Sequence, residues 1–306
     1  MTDLYPSRQA ATPQVIPRQD PVVHGRWTPD APLSQAQTEF YERNGYLVLE
    51  NLFSTDEVAF LQAEAQRLIR KPEGIDPDTI ITEPSGDEVR SIFAIHGQNA
   101  LLARLAADHR LAGAASFLLD DEVYLHQSRL NYKPGFEGKE FYWHSDFETW
   151  HVEDGMPRMR ALSISVLLAD NNVNNGPLMV MPGSHRTYVA CVGETPEDHY
   201  RASLKKQEYG VPDHSSLTRL AQTHGIVAPI GPAGTVLMFD CNLMHGSNSN
   251  ITPDPRSNAF FVYNARANAL EAPFGPKVPR PAFIAGRHFT PLRIAEGPLT
   301  AQEQAA

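Results

Sequence analysis

Apolar residues recur along this chain with two different periods, and the change falls near residue 122. In the first part the spacing is helical. "SQAQTEFYERNG" predicts a helix from Ser34 to about Gly45, followed by a short strand in "YLVLENLF". "STDEVAFLQAEAQRLIRK" then opens with Ser54 and carries Glu57 three residues on, a capping box ahead of an apolar 3.6-residue repeat. A third helix is expected within residues 99–119, "NALLARLAADHRLAGAASFLL". From residue 122 the pattern becomes short strands punctuated by Gly, Pro, Asn and Asp: "EVYLHQSRLNYK", "RALSISVLLA", "LMVMP", "TVLMFD" and "NAFFVYNA". Helices first and then short strands imply a mainly β fold with flanking helices, a helical layer against an antiparallel sandwich or barrel. Residues 1–33, rich in Pro and without apolar periodicity, are expected to form an irregular arm, and residues 34–306 a single domain. At about 193–225 a polar, partly helical insertion interrupts the strands, either a cover over a binding site or a surface excursion.

Composition narrows the function classes. The formal charge of −10 and the lack of clustered Lys and Arg argue against nucleic acid as a partner. No apolar run reaches the roughly 20 residues of a membrane span, and no secretory leader is recognisable. Two cysteines, Cys191 and Cys241, without a CxxC spacing, suit a reduced cytoplasmic protein.

The candidate chemistry centres on "FYWHSDFETWHVEDGMP", residues 141–157. It holds two His-x-acid triplets, His144-Ser145-Asp146 and His151-Val152-Glu153. Such a pair can supply two of the three protein ligands of a non-haem iron centre, yet this composition yields about one to two pairs by chance, so the triplets alone do not choose. On an extended segment the i, i+2 spacing puts the imidazole and carboxylate of the first triplet on one side. A third ligand is available in His245, within "FDCNLMHGSNSN" directly after an apolar strand. Eleven residues further, Arg256 opens "RSNAFFVYNA", and an antiparallel return of that length can carry its planar fork back near the metal, where it suits a dicarboxylate. In strand 123–133, Gln127, Arg129, Asn131 and Lys133 share one face and Tyr124, His126, Ser128, Leu130 and Tyr132 the other. Facing solvent, the polar row is ordinary sheet surface; facing inward, it needs partners that a bound polar ligand would supply.

His144, Asp146, His245 and Arg256 in this order resemble the phytanoyl-CoA dioxygenase superfamily of Fe(II)/2-oxoglutarate-dependent oxygenases, whose core is a double-stranded β-helix of the jelly-roll, cupin type. "FYERNGYLVLENLFSTDEV" is similar to their N-terminal helix-strand-helix, and "NNGPLMVMPGSHR" (174–186) to their hairpin between the metal motifs. The stretch 141–157 is similar over its full length to the signature of the ectoine hydroxylase family, and the resemblance spans roughly residues 35 to 290.

The resemblance implies Fe(II) held by His144, Asp146 and His245, with His151 and Glu153 left to structural duty. It further implies 2-oxoglutarate and O2 as co-substrates, the former contacting Arg129, Asn131, Phe141, Ser247 and Arg256. Ectoine, a small zwitterion with a cationic amidine ring, would contact Gln127, Trp150, Phe239, Asn258 and Phe260, Trp150 supplying a ring face for the cation. Hydroxylation to 5-hydroxyectoine, a compatible solute, with release of succinate and CO2, is the implied reaction. Asp146 separates it from related halogenases, which lack this carboxylate. A homodimer is implied as well. The alternatives are a hydroxylase of the same superfamily acting on another small polar metabolite, and a non-catalytic jelly roll, which would not need all four motif residues.

Overall fold

The structure, a computed structural model, describes residues 3–83, 86–196, 198, 200–204 and 209–299. In chain order, β1 (Gln14–Pro17), α1 (Gln35–Asn44), β2 (Tyr46–Leu49) and α2 (Thr55–Arg70) come first. They are followed by β3 (Ile80–Thr82), β4 (Val89–Phe93), α3 (Ile95–Gln98), α4 (Ala100–Ala106) and α5 (Ala114–Leu119). The motif region contains β5 (Val123–Lys133), β6 (Phe141–His144), α6 (Asp146–Thr149) and β7 (Ala161–Leu167). Then come β8 (Leu178–Val180), β9 (Thr187–Ala190), α7 (Tyr200–Ser203) and α8 (His214–His224). The last three strands are β10 (Val236–Asp240), β11 (His245–Ser247) and β12 (Arg256–Ala265).

A seven-stranded antiparallel sheet in the order β2-β10-β7-β12-β5-β4-β3 faces a three-stranded sheet, β6-β11-β8, the arrangement of a jelly roll. Period-2 alternation decides what each face of the large sheet meets. Leu130, Ile164, Val166, Met238, Ala259 and Phe261 pack outward against Leu61, Leu68, Leu102, Leu105 and Leu118 of the helices. Their chain neighbours turn inward: Leu237, Phe239, Phe260 and Val262 build a second apolar cluster with Phe147 and Trp150. Arg129, Asn131, Ser165 and Asn258 line a cavity on that same inner side. The polar row of strand 123–133 therefore faces inward. No helix among the described residues is long and apolar enough to cross a membrane.

The helix starts follow the sequence. Ser54 and Glu57 close the expected capping box, Ser34 and Gln37 close a second, and Gly45 ends α1 at φ 75°. Three expectations need correction. The single helix expected over 99–119 is broken after Ala106 by a π-helical turn, His109–Gly113. The buried Asp108 causes the break, accepting from the Arg110 backbone N–H and pairing with the Arg104 and Arg110 guanidiniums, local bonds that compete with the helical ladder. β3 and β4 extend the large sheet where no strand was expected.

The arm, expected to be irregular, contributes β1, which pairs antiparallel with β9. It also buries Tyr5, whose hydroxyl donates to Asp20 at 2.8 Å and whose ring lies edge-on to Phe147 at 5.3 Å. Arg18 pairs with Asp240 at 2.7 Å beneath the large sheet's end. Polar anchors of this kind leave no apolar period to read. The insertion at 193–225 forms α7 and α8, with positions 197, 199 and 205–208 outside the described residues.

Candidate active site

The first His-x-acid triplet and the distal histidine converge. His144 ends β6, and the antiparallel register of β6 with β11 sets it directly opposite His245, ring centroids 4.2 Å apart. The extended segment is shorter than the spacing argument assumed: Ser145 is its last extended residue, and Asp146 begins α6. The Asp146 carboxylate still turns back toward the imidazoles, its Oδ1 3.6 Å from His144 Nε2 and 3.9 Å from His245 Nε2. The three donor atoms lie within 4.8 Å of one another, and all three residues are buried; among the described residues no other His, Cys, Asp or Glu group meets this geometry.

Each imidazole is held from behind. His144 Nδ1 lies 2.7 Å from the Tyr142 carbonyl, and His245 Nδ1 2.9 Å from that of Leu243. A carbonyl only accepts, so both Nδ1 atoms carry hydrogen, which leaves each Nε2 as the ring nitrogen placed to ligate a metal. Ser163 donates to Asp146 Oδ2 at 3.2 Å, leaving Oδ1 directed at the imidazoles. Burial, reinforced by His144, pushes the His245 pKa down to about 4, so this ring is neutral and able to ligate at pH 7. Burial alone would raise the Asp146 carboxyl, but His245, His144 and Arg129 together hold it well below the ordinary carboxylate range. Two imidazole nitrogens and one carboxylate oxygen on one side of a point are the donor set of a non-haem Fe(II) site. The second triplet has other duties: His151 lies between the Met156 carbonyl (2.8 Å) and Asp3 (3.0 Å), and Glu153 pairs with Arg8 at 2.7 Å.

Two lobes open from the triad. The larger runs between the sheets and is lined by Arg90, Lys133, Arg256, Asn131, Ser247 and Asn258, among others. Among the described residues no carboxylate lines it. Burial and then Arg90 lower the Arg256 pKa to about 10, which leaves it a cation at neutral pH, and its buried Nε has no hydrogen-bond partner among the described residues. The smaller lobe is lined by Gln127, Asp146, Thr149, Trp150, Glu153 and Arg280, among others. Arg129, Phe141, His144 and Leu204 border both lobes. Arg129 donates to Gln127 Oε1 at 2.8 Å and lies over the Phe260 ring at 4.3 Å, a wedge between the two spaces.

The residues expected in the site divide unevenly between these lobes. Arg129, Asn131, Phe141, Ser247 and Arg256 all line the larger one. Of the five residues expected around the substrate, Gln127 and Trp150 line the smaller lobe, whereas Asn258 and Phe260 line the larger. Asn258 donates to Ser165 at 2.7 Å there. Phe239 lines neither lobe: it is fully buried behind His245, ring centroids 4.9 Å apart. Arg90, Thr149, Ser165 and Arg280 line the lobes without having been expected there, and Lys133 was expected in the polar row but in no site. Lys133 was recoverable from the i, i+2 row that gives Arg129 and Asn131. Arg280 was not, since it arrives from the Pro-rich C-terminal segment and is oriented by a 2.6 Å pair with Asp154.

The profile of the phytanoyl-CoA dioxygenase (PhyH) family matches residues 41–258. The chain is 67% identical over 300 residues to the ectoine dioxygenase of Sphingopyxis alaskensis, covering 98% of both. The crystal structure of EctD from S. alaskensis with 2-oxoglutarate and 5-hydroxyectoine is 62% identical and superposes with a TM-score of 0.90, covering 97% of this chain and 100% of that one. The form of the same enzyme with bound Fe gives 0.89 at the same identity and coverage. The chain belongs to the phytanoyl-CoA dioxygenase family and, within it, to the ectoine dioxygenases.

Proposed function

We propose that this protein is an Fe(II)- and 2-oxoglutarate-dependent dioxygenase that hydroxylates ectoine to 5-hydroxyectoine, with succinate and CO2 as co-products. The observation that carries this reading is the buried His144, Asp146 and His245 triad at the junction of a cation-lined lobe and a lobe walled by Trp150.

Fe(II), when bound by the triad, supplies the dioxygen chemistry that couples decarboxylation of a 2-oxo acid to hydroxylation of a C–H bond. The chain's own residues bind, orient and shield the reactants. Arg256 meets the far carboxylate of 2-oxoglutarate with a planar fork, Ser247 and Asn131 offer hydrogen bonds along it, and Phe141, 5.1 Å edge-on to His144, walls the near end. In the smaller lobe Trp150, only 3% exposed, presents its ring to the amidinium, Gln127 and Thr149 supply neutral hydrogen bonds, and Arg280 supplies a cation for the substrate carboxylate. Tyr200 and Leu204 bring the 193–225 insertion over these spaces and keep water from the reacting atoms. Asn258 and Phe260 bound the substrate from the larger lobe, and Phe239 acts through His245 by filling the space behind it.

Trp150→Ala is expected to raise the KM for ectoine by about 5- to 30-fold, the worth of a desolvated cation–π contact, while 2-oxoglutarate consumption continues uncoupled from hydroxylation. Parallel assays of succinate and hydroxylated product check this, and unchanged ectoine kinetics would assign Trp150 to the core alone. The substrate itself is tested by oxygen uptake of the Fe(II)-loaded enzyme with ectoine and with other small zwitterions such as proline. Stimulation by another compound and not by ectoine would move the activity to a different metabolite. The cysteines are free and buried, which fits a reducing cytoplasm. A homodimer, with exposed sheet edges available for pairing, is part of the proposal; a monomer mass by light scattering would remove it.

A further inference from the structure

Two neighbouring acids of the 141–157 stretch compete for Arg280, the cation that the C-terminal segment brings to the smaller lobe. Asp154 takes it in a two-point pair, Arg280 Nε donating to Oδ1 at 2.8 Å and Nη2 to Oδ2 at 2.6 Å. Glu153, which lines the lobe, lies 3.6 Å from the same Nε and is drawn away by Arg8 of the arm at 2.7 Å. Asp154 itself is fully buried and lines neither lobe. It is fixed from two further sides: His126 Nε2 stands 3.2 Å from its Oδ2, and Arg287 donates to its backbone carbonyl at 2.7 Å.

We propose that Asp154 is a positioning residue for substrate binding: it turns the Arg280 guanidinium toward the substrate carboxylate and holds it away from Glu153. This rests on the function proposed above. A guanidinium presents its five N–H donors in a rigid planar fork. Asp154 occupies the edge made by Nε and Nη2, which leaves Nη1 and the second Nη2 hydrogen as an edge for another carboxylate. Among the described residues Nη1 has no protein acceptor. Stability alone does not call for this pair, since a buried ion pair can often be replaced by apolar side chains without loss. Its charges are firmly held all the same. Burial would raise the Asp154 carboxyl, but Arg280 and then His126 bring its pKa down to about 2. Burial likewise disfavours the Arg280 cation, and Asp154, followed by Glu153, more than offsets it. The lobe thus keeps an oriented cation beside the Trp150 ring, one for each charged group of a zwitterion.

The test is an anaerobic calorimetric titration of the Fe(II)- and 2-oxoglutarate-loaded wild type and Asp154→Asn with ectoine and with 2-methyl-1,4,5,6-tetrahydropyrimidine, the same cationic ring without the carboxylate. Asparagine keeps the shape and one acceptor but not the charge, so Arg280 is free to turn to Glu153. Asp154→Asn is expected to weaken ectoine binding about ten-fold or more and to leave binding of the bare ring within about two-fold. Asp154→Glu, which keeps the charge and moves it by one methylene, is expected to lose ectoine affinity selectively by a smaller factor, and thermal unfolding of both variants, read in parallel, shows that they fold. In an Arg280→Leu background Asp154→Asn is expected to add no further loss, because Asp154 acts through Arg280. Unchanged ectoine affinity in both variants overturns the inference, as does full additivity with Arg280→Leu or an equal loss for both ligands, the mark of a structural defect. A wild type that does not bind ectoine overturns the proposed function itself and this inference with it.

Discussion

Asp146→Ala is expected to lose iron on desalting and to reduce turnover by more than about a thousand-fold. Removing a residue that merely supports a metal ligand typically costs about 10- to 100-fold. Asp146 contributes more than that: it is the anionic donor among the three, and its negative charge is what His144, His245 and Arg129 surround. His245→Ala is expected to behave alike, because the neutral imidazole opposite His144 has no substitute within reach among the described residues. His151→Ala is the contrast: its ring bonds Met156 and Asp3, so iron content should stay at the wild-type level even where stability falls. Iron analysis alongside succinate formation decides it. Wild-type turnover in Asp146→Ala or His245→Ala would remove the triad from the mechanism, and iron loss in His151→Ala alone would transfer the site to the second triplet.

Arg256→Leu is expected to raise the KM for 2-oxoglutarate by about 100-fold or more, with the KM for ectoine unchanged within about two-fold. Truncating one side of a buried charged pair costs about 2–5 kcal/mol, partly by stranding the other charge. Leucine keeps much of the side-chain volume without the charge, so the loss reports the guanidinium. A kcat that recovers at saturating 2-oxoglutarate would mark Arg256 as a binding residue. A rise confined to the ectoine KM would place it in the substrate site instead.

Much of the arrangement behind these expectations was legible in the sequence. Capping boxes are local, so Ser54 and Glu57 announced α2 without tertiary information. β5, β7, β10 and β12 showed themselves as short apolar or alternating runs, and the order His144, Asp146, His245 and Arg256 pointed to a site through its resemblance to a family pattern; the first three of these residues do converge. What alternation did not contain was which face of β5 is inside. Leu130 on one face and Arg129 on the other read the same until α2, α4 and α5 cover the apolar side. The same ambiguity explains Asn258 and Phe239. Strand parity puts Asn258 inside, but its register opposite Leu167 on β7 and its hydrogen bond to Ser165 determine which lobe it enters, and Phe239 is one layer behind the cavity wall. The arm's strand was invisible because β1 is recruited by the edge of β9 and secured by Tyr5, Arg8 and Arg18. Arg280 and Arg90 lie far from the motif, brought in by ion pairs with Asp154 and Glu83 that no local pattern encodes.

The most direct test of the central claim is NMR of the anaerobically Fe(II)-loaded protein mixed with ectoine and 2-oxoglutarate and then exposed to air, following 5-hydroxyectoine and succinate together. Equal amounts of the two are expected, since each 2-oxoglutarate decarboxylated should hydroxylate one ectoine. Succinate without 5-hydroxyectoine would contradict the substrate assignment, and neither product, with iron confirmed bound, would contradict the dioxygenase chemistry itself.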